Sequence, residues 1–596
     1  MNNDKNLSDA QASAIMQGML KQAGTLFRIL DRDGDGVLSA EEIANAPQVL
    51  GALCTSDDGC LYEKDFGGAT EIPGMLRRSA IVRVLDFDGD LVIGPDDIEA
   101  ASERIFQLDV NATGQVTALD DLPPRDPSIQ AKVPMGTPAE TLAYQKKMFT
   151  RTPYLRGQIL PSGAPDVQPG YMLIHEVNDR GDMQKSNRTF LMDEHGKVAR
   201  TWQSENRLSE ATVSYLLPDG SLLRTSSKRS FIVMDGKFPI GANGTITKLD
   251  KDNNVLWEWD HFEIGVEALH HDIELMPNGN ILAISWSVIS AEKAKEMGWI
   301  QQGTHQRIIL DKLYEIEPDY ESGRGADVVW VWDAADHIIQ DHDPKLANYG
   351  NPADHPGRLD INFTQLDTTQ FNAGQLFHTN SVSYRVDEDI IMLSSAVFGE
   401  IWAIDHSTTS AEAATSSGGT YDKGGDLIWR FGNPQTHKSG GPEDQVLYWQ
   451  HDAYFIPDTV PHKGDILIYN NGMRRTKDGK PDAKQVCMGV ISGAYAEVLE
   501  ITLPRDENGK LVMGAPPDEV WNFNKDAHHD LYSPFMSNAQ RLPNGNTITM
   551  QAFDKRIVEV TSTGEVVLDF YVDGPGRMYR VYKYPPDDPA IRALGL

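Results

Sequence analysis

The chain has little cysteine, no long apolar run and a shortage of positive charge. Its three cysteines in 596 residues leave the redox compartment open. No segment reaches the roughly 18 apolar residues of a membrane span, and the opening Met1–Lys5 lacks the apolar core of a signal peptide. With 54 Lys and Arg against 87 Asp and Glu, the net charge of −33 repels nucleic acid and anionic lipid alike, and so argues against both as partners. It suits solubility in a salty medium.

What is present is a repeat. HHDIELMPNGNILAIS from His270 and QHDAYFIPDTVPHKGDILIYN from Gln450 are antiparallel hairpins, each an apolar strand, a Pro-Asn or Pro-Asp turn with a Gly behind it, and a second apolar strand. The hairpin recurs from Ser214 and from Asn538, and in looser form from His378. A second unit alternates with it: a strand ending in an acidic residue, a polar turn, and a strand ending in an aromatic residue. Its six copies run up to Trp202, Trp259, Trp332, Phe431, Phe523 and Phe570. Two hairpins make a four-stranded sheet, and radial repetition of such sheets is the β-propeller. The expected fold is therefore mostly β, a six-bladed propeller over residues 155–596, with long loops at 336–375 and 407–425 crowding one mouth of its channel.

Residues at equivalent strand entrances of different blades converge on the channel, so His271, His378 and His451 are expected to meet although distant in sequence. The alternative is that each merely caps a strand end.

The first 125 residues have another character. Asp31, Asp33, Asp35, Val37, Ser39 and Glu42 match the ligand positions of an EF-hand calcium loop, with Gly36 at its turn. Two weaker loops end in Asp, which reaches the ion less easily: Asp86, Asp88, Asp90, Val92 and Asp97, with Leu91 in place of the turn glycine, and Asp109, Asn111, Thr113, Gln115 and Asp120. A fourth, 54–65, begins with Cys54 and carries Cys60, which either form a disulfide or stay as two thiols; Cys487 has no obvious partner. The equal spacing within the first two and the last two loops predicts two EF-hand pairs, an α-helical calcium-binding domain over 1–125. A proline-rich linker with a short helix at 126–154 follows it.

HHD before a PNGN turn, His378-x-Asn380-Ser381, the run Ser394–Asp405, Trp449-Gln-His-Asp452 and Leu542–Asn546 together resemble the bacterial arylsulfate sulfotransferase family over about residues 168–584. The resemblance implies transfer of a sulfuryl group between phenolic compounds, without a nucleotide donor, through a sulfohistidine. It places the nucleophile on His451, a second catalytic histidine on His271 and sulfate contacts on His378 and Asn380, and it favours a periplasmic or secreted protein. Phenols and aryl sulfates are the implied partners. One departure stands out: the family has an arginine after the Ser-Ser pair, where Ala396 and Val397 follow Ser395 here. Arg430 and Arg224 are the candidate substitutes for that charge.

Two other readings stay open. The histidines 270, 271, 378, 451, 528 and 529 suit Cu, Fe or Zn, hence a metal-dependent propeller oxidoreductase or lyase. The front domain allows a calcium-dependent binding module without chemistry.

Overall fold

The computed structural model describes residues 25–33, 37–54, 59–62, 81, 85, 92–106, 108, 115–117, 166–177, 188–194, 196–203, 213–226, 241–263, 265–300, 307–363, 374–473, 495–525, 531–552, 555–572 and 577–596. The chain separates into two compact units, one holding 1–158 with the short stretches 489–493 and 569–575, the other the remainder. Among the described residues no helix is long and apolar enough to cross a membrane.

Six sheets form the propeller, each antiparallel throughout. Their innermost strands are Ser214–Leu216, Glu267–Leu275, Thr379–Arg385, His451–Phe455, Asn538–Arg541 and Arg577–Tyr584. The last of these comes from the C-terminus and pairs with Tyr171–Val177, so the end of the chain completes the blade that its beginning starts. Closure of this kind leaves the ring without a free seam.

Tryptophans on the outer strands link neighbouring blades; Trp202 and Trp332 end their repeat units, and Trp257 and Trp429 lie two residues before the ends of theirs. Trp202 Nε1 donates to Asp250 O at 2.9 Å, Trp257 to Gly325 O at 2.8 Å, Trp332 to Gly425 O at 2.8 Å and Trp429 to Ala515 O at 3.1 Å. Each acceptor belongs to the connection between the third and fourth strands of the next blade. A buried indole needs such a partner, and the next blade's connection supplies it each time. The acidic residue that closes the third strand holds the turn: Asp250 Oδ1 accepts the Asp252 and Asn254 amides, both at 2.8 Å.

Of the long connections, 407–425 does not crowd the channel. Ser410 Oγ accepts Val331 N at 3.1 Å and His337 Nε2 meets Ala413 O at 2.8 Å, so the loop packs on the outer strand Ala326–Asp333. The apolar edge and indole N–H of that strand draw it outward. The 336–375 connection does reach the channel at its far end, through Gln375.

The N-terminal unit has helices at Thr25–Leu30, Ala40–Ala44, Ala46–Leu53, Pro95–Glu99 and Ala101–Phe106 around a small apolar core that includes Phe27, Leu50, Ile93 and Ile105. Val37–Leu38 pairs with Val116–Thr117, and Leu61–Tyr62 with Val92–Ile93. The first loop thus pairs with the last and the second with the third, whereas equal spacing suggests neighbours. Equal spacing records a repeat and says nothing of which copies meet. Cys54 keeps its thiol: its Sγ donates to Cys60 O at 3.0 Å rather than bonding the Cys60 sulfur. Cys487 lies outside the described residues.

Candidate functional site

Each site-bearing inner strand is bulged where its polar residues sit. Register shifts fall between Leu269 and Ile273, Thr379 and Ser381, His451 and Tyr454, and Met578 and Val581. His271, His378 and Asp452 have φ of 49°, 53° and 53°, the left-handed region that costs a non-glycine residue on the order of 1–3 kcal/mol. In a regular strand His271 and Asp272 would face opposite ways. The bulge turns both toward the channel.

The three histidines do gather. The rings of His271 and His378 are 4.6 Å apart and edge to face, and His451 is near enough to disfavour protonation of both. Burial holds His271 and His378 well below the ordinary imidazole range, with the neighbouring histidines adding to the effect. Burial likewise brings His451 down to about 4, against the opposing bonds from Asn471 and Trp449 O.

Those bonds also define its tautomer. Asn471 Nδ2 donates to Ser533 O at 2.8 Å and Met536 O at 2.9 Å, so its Oδ1 is the atom facing His451 Nδ1, 2.8 Å away. Nδ1 meets Trp449 O at 3.0 Å as well. Two acceptors require the proton on Nδ1, which leaves the lone pair on Nε2, where Met536 N–H points at 3.1 Å.

His271 Nδ1 contacts His270 Nδ1 at 2.9 Å, and His270 Nε2 lies 3.4 Å from Asp311 Oδ1, an ion-pair separation rather than a hydrogen bond. Asp311 Oδ2 in turn accepts Thr379 N at 2.9 Å, beside His378. The ring of His271 fits because residue 241 is glycine: a Cβ there would lie 2.5 Å from its Cε1. His378 Nδ1 bonds Gln375 Oε1. Asn380 Nδ2 donates to Gln450 O at 2.7 Å, which ties two blades and leaves Oδ1, an acceptor, without a partner.

Asp272 and Asp452 do not orient the histidines that precede them. Both grip Arg580, at 2.9 Å and 3.0 Å, and Arg580 Nη2 donates to Asn380 O at 3.0 Å. One guanidinium from the closing strand therefore joins the three strands that carry His271, Asn380 and His451. Burial, reinforced by Asp272 and opposed by Arg580, raises Asp452 to about 7, and burial with Asp272 raises Glu274 to about 8.

Neither candidate cation substitutes for the missing arginine. Arg430 is spent on Glu400, Thr436 and the carbonyls of Pro356 and Arg358. Arg224 is buried beside His175, on the second strand of a blade that carries none of the three histidines, with Nε and Nη1 unpartnered. The arginine's own position is apolar, with Ala396 and Val397 packed on Trp449 and Met473. Sequence reasoning missed Arg580, Asn471, Asp311 and Gln375; Asn471 alone had a local signal, the Asn-Asn-Gly that ends its hairpin.

Among the described residues the channel histidines do not bring three metal-ligand atoms within 4.8 Å of one another, whereas Asp31, Asp33 and Glu42 do. Residues 528 and 529 lie outside the described residues, as do Asp35, Asp86, Asp88, Asp90, Asp109, Asn111, Thr113 and Asp120. Glu42 accepts Arg32 N at 2.7 Å and Ser39 N at 2.9 Å. Burial raises its pKa, but the bonds from Ser39, Arg32 and Asp33 prevail and lower it. Val37 and Val92 sit in the short paired strands, and Gln115 just precedes one. Asp97 is turned to Arg104 Nη1, 2.6 Å away.

A family model described as arylsulfotransferase (ASST) matches residues 169–566. A search of curated proteins finds no match. Similar solved structures include a protein of unknown function from Bacteroides caccae, with 10% identity, 70% of this chain and 98% of that chain covered and a TM-score of 0.35. Another is virginiamycin B lyase from Staphylococcus aureus, with 11% identity, 68% and 85% covered and a TM-score of 0.28. At those TM-scores neither carries an argument about this chain.

Proposed function

Because the matched stretch, 169–566, takes in more than half of the 596 residues, the chain belongs to the arylsulfotransferase family, and we propose that His451 is the nucleophile through which it works. It is a sulfotransferase, acting on aryl sulfates and phenols. The observation that carries the residue assignment is the state of His451: neutral, with Nδ1–H engaged by Asn471 and Trp449 O and the lone pair on Nε2.

In the first half-reaction Nε2 attacks sulfur, the N–S bond forms as the S–O bond to the donor phenol breaks, and the leaving oxygen takes the proton that His271 gained in the preceding turnover, or on the first turnover one from solvent. Met536 N–H must release Nε2 for this. Sulfation makes the ring cationic, and the two acceptors on Nδ1–H stabilise that charge. In the second half the acceptor phenol attacks sulfur, its proton passes to His271, and the N–S bond breaks. As an imidazolium of depressed pKa, His271 is then a ready acid for the next leaving phenolate. His378 shapes the same pocket. Asn380 presents an acceptor oxygen, which suits a phenol hydroxyl better than a sulfuryl oxygen. His451→Asn should abolish transfer from an aryl sulfate with the fold intact, and His271→Asn should slow both half-reactions by about 10²–10⁴; retained turnover in His451→Asn contradicts the assignment.

For the N-terminal unit we propose EF-hand calcium binding, first at Asp31–Glu42, where three carboxylates gather. Weaker binding is assigned to the loops 109–120 and 86–97, the latter because Asp97 is committed to Arg104. Calcium titration calorimetry should show the strongest heat lost in Glu42→Gln. Equal heats from that variant and the wild type would remove the assignment.

A further inference from the structure

Sulfuryl transfer spreads charge over oxygens that most need hydrogen-bond donors in the transition state. The family places a cation there; here that position is Ala396 and Val397, and Arg580 commits both Nη atoms to Asp272, Asp452 and Asn380 O, leaving its buried Nε without an acceptor. Two other donors at the histidines have nothing to donate to. Trp286 Nε1 and Gln375 Nε2 are buried without a hydrogen-bond partner, on residues exposed by 0% and 2%. Leaving a buried donor unmade costs about 1–3 kcal/mol, so a folded protein rarely retains one without a use.

Both belong to the site. The Trp286 indole stacks on His270 at 4.0 Å, stands edge-on to His271 at 5.5 Å and lies 6.1 Å from His378. Gln375 bonds His378 through its other amide atom. Both are rigidly placed. Ile309 N donates to Gly374 O at 2.8 Å and Leu376 N to Ile309 O at 3.1 Å, which pins the backbone on either side of Gln375. Gly374, at φ 89°, allows the approach: a Cβ there would meet Arg307 O at 2.6 Å.

We propose that Trp286 Nε1–H and Gln375 Nε2–H hold the sulfuryl oxygens, a neutral oxyanion pocket in place of the family's arginine. The pocket rests on His451 as nucleophile and specifies where the transferred group lies, between His451, His271 and His378. Neutral donors fixed in advance need no reorganisation as the S–O bond breaks, and they leave no uncompensated charge in the buried channel when the site is empty.

The test is single-turnover sulfation of His451 from 4-nitrophenyl sulfate, alongside the thermal unfolding midpoint, in wild type, Trp286→Phe and Gln375→Met. Phe keeps an aromatic ring over His270 and removes the N–H together with part of the indole, so its packing cost is read separately in the unfolding midpoint. Each variant should sulfate His451 about 10²-fold more slowly, with the apparent KM changed far less than the maximal rate and the loss persisting well below each variant's unfolding midpoint. Sulfation rates in Trp286→Phe within threefold of wild type overturn the proposal, as does a rate loss that only follows a lowered midpoint. If the wild type turns over substrate but never sulfates His451, the nucleophile assignment has failed and the pocket falls with it; if the wild type sulfates normally and the variants do too, the pocket alone has failed.

Discussion

Arg580 does at the residue scale what no pair of neighbours could. His271 and His451 lie on different blades, and nothing covalent sets the distance between them. Their adjacent carboxylates share one guanidinium, which also reaches Asn380 O, so the spacing of the three strands is set by the planar fork of a single side chain. Removing a buried charge partner costs about 3–5 kcal/mol, because the orphaned carboxylate remains buried. Arg580→Gln should therefore lower both the unfolding midpoint and the transfer rate. Arg580→Lys separates the two effects: one ammonium restores charge but cannot span three strands, so the fold should persist while the maximal rate falls at least about tenfold, one barrier step of 1.4 kcal/mol. Wild-type rates in the lysine variant would show that the fork does not position the histidines.

At the scale of elements, four blades latch to the next through an outer-strand indole, from Trp202, Trp257, Trp332 and Trp429. Two of these are aromatic ends of the repeat and two lie two residues before one, and recurrence is what a single sequence displays. Trp332→Phe should cost at least about 1–3 kcal/mol, because Gly425 O is left buried and unpaired and the smaller ring leaves a cavity, read as a lower midpoint in denaturant at unchanged slope; an unchanged midpoint would mean the indole bond is incidental. By the same logic the strand entrances of His451 and of His378, just before Thr379, were readable from their turns, whereas His271 lies mid-strand in Glu267–Leu275; the bulges beside them were not readable, since a bulge is a register choice between strands. Arg580 sits in a C-terminal segment, RMYRVYKY, that carries no turn signal of its own. Asp311 and Gln375 act from other blades and connections, and only the closed ring brings them near the histidines. In the N-terminal unit the pairing of first loop with last depends on helix packing that spacing does not encode.

On the scale of the whole molecule, buried histidines set the response to acid. His175 and His437 are lowered to about 3 and His451 to about 4, while His270, His271 and His378 are also lowered, in every case chiefly by burial. Below pH 6.5 the unfolded chain takes up protons that the folded chain refuses, so stability falls as pH drops from about 6.5 toward 4. Glu274 and Asp452, raised to about 8 and about 7, act in the opposite sense: they are protonated in the fold, and their contribution is lost as pH rises through those values. The six lowered histidines outweigh these two together with the lesser rises of His406, Asp336, Asp360 and Glu500 on the acid side. The denaturation midpoint should be highest near neutrality and clearly lower at pH 5, and a higher midpoint at pH 5 would contradict the neutral, buried state on which the nucleophile depends.

That state is tested most directly by mass. After incubation with 4-nitrophenyl sulfate alone, with no acceptor phenol, proteolysis of the wild type should yield a peptide containing His451 heavier by one SO₃. Adding phenol should discharge it, and His451→Asn should never show it. Turnover in the wild type with no such adduct, or an adduct on His271 or His378 instead, would contradict the account.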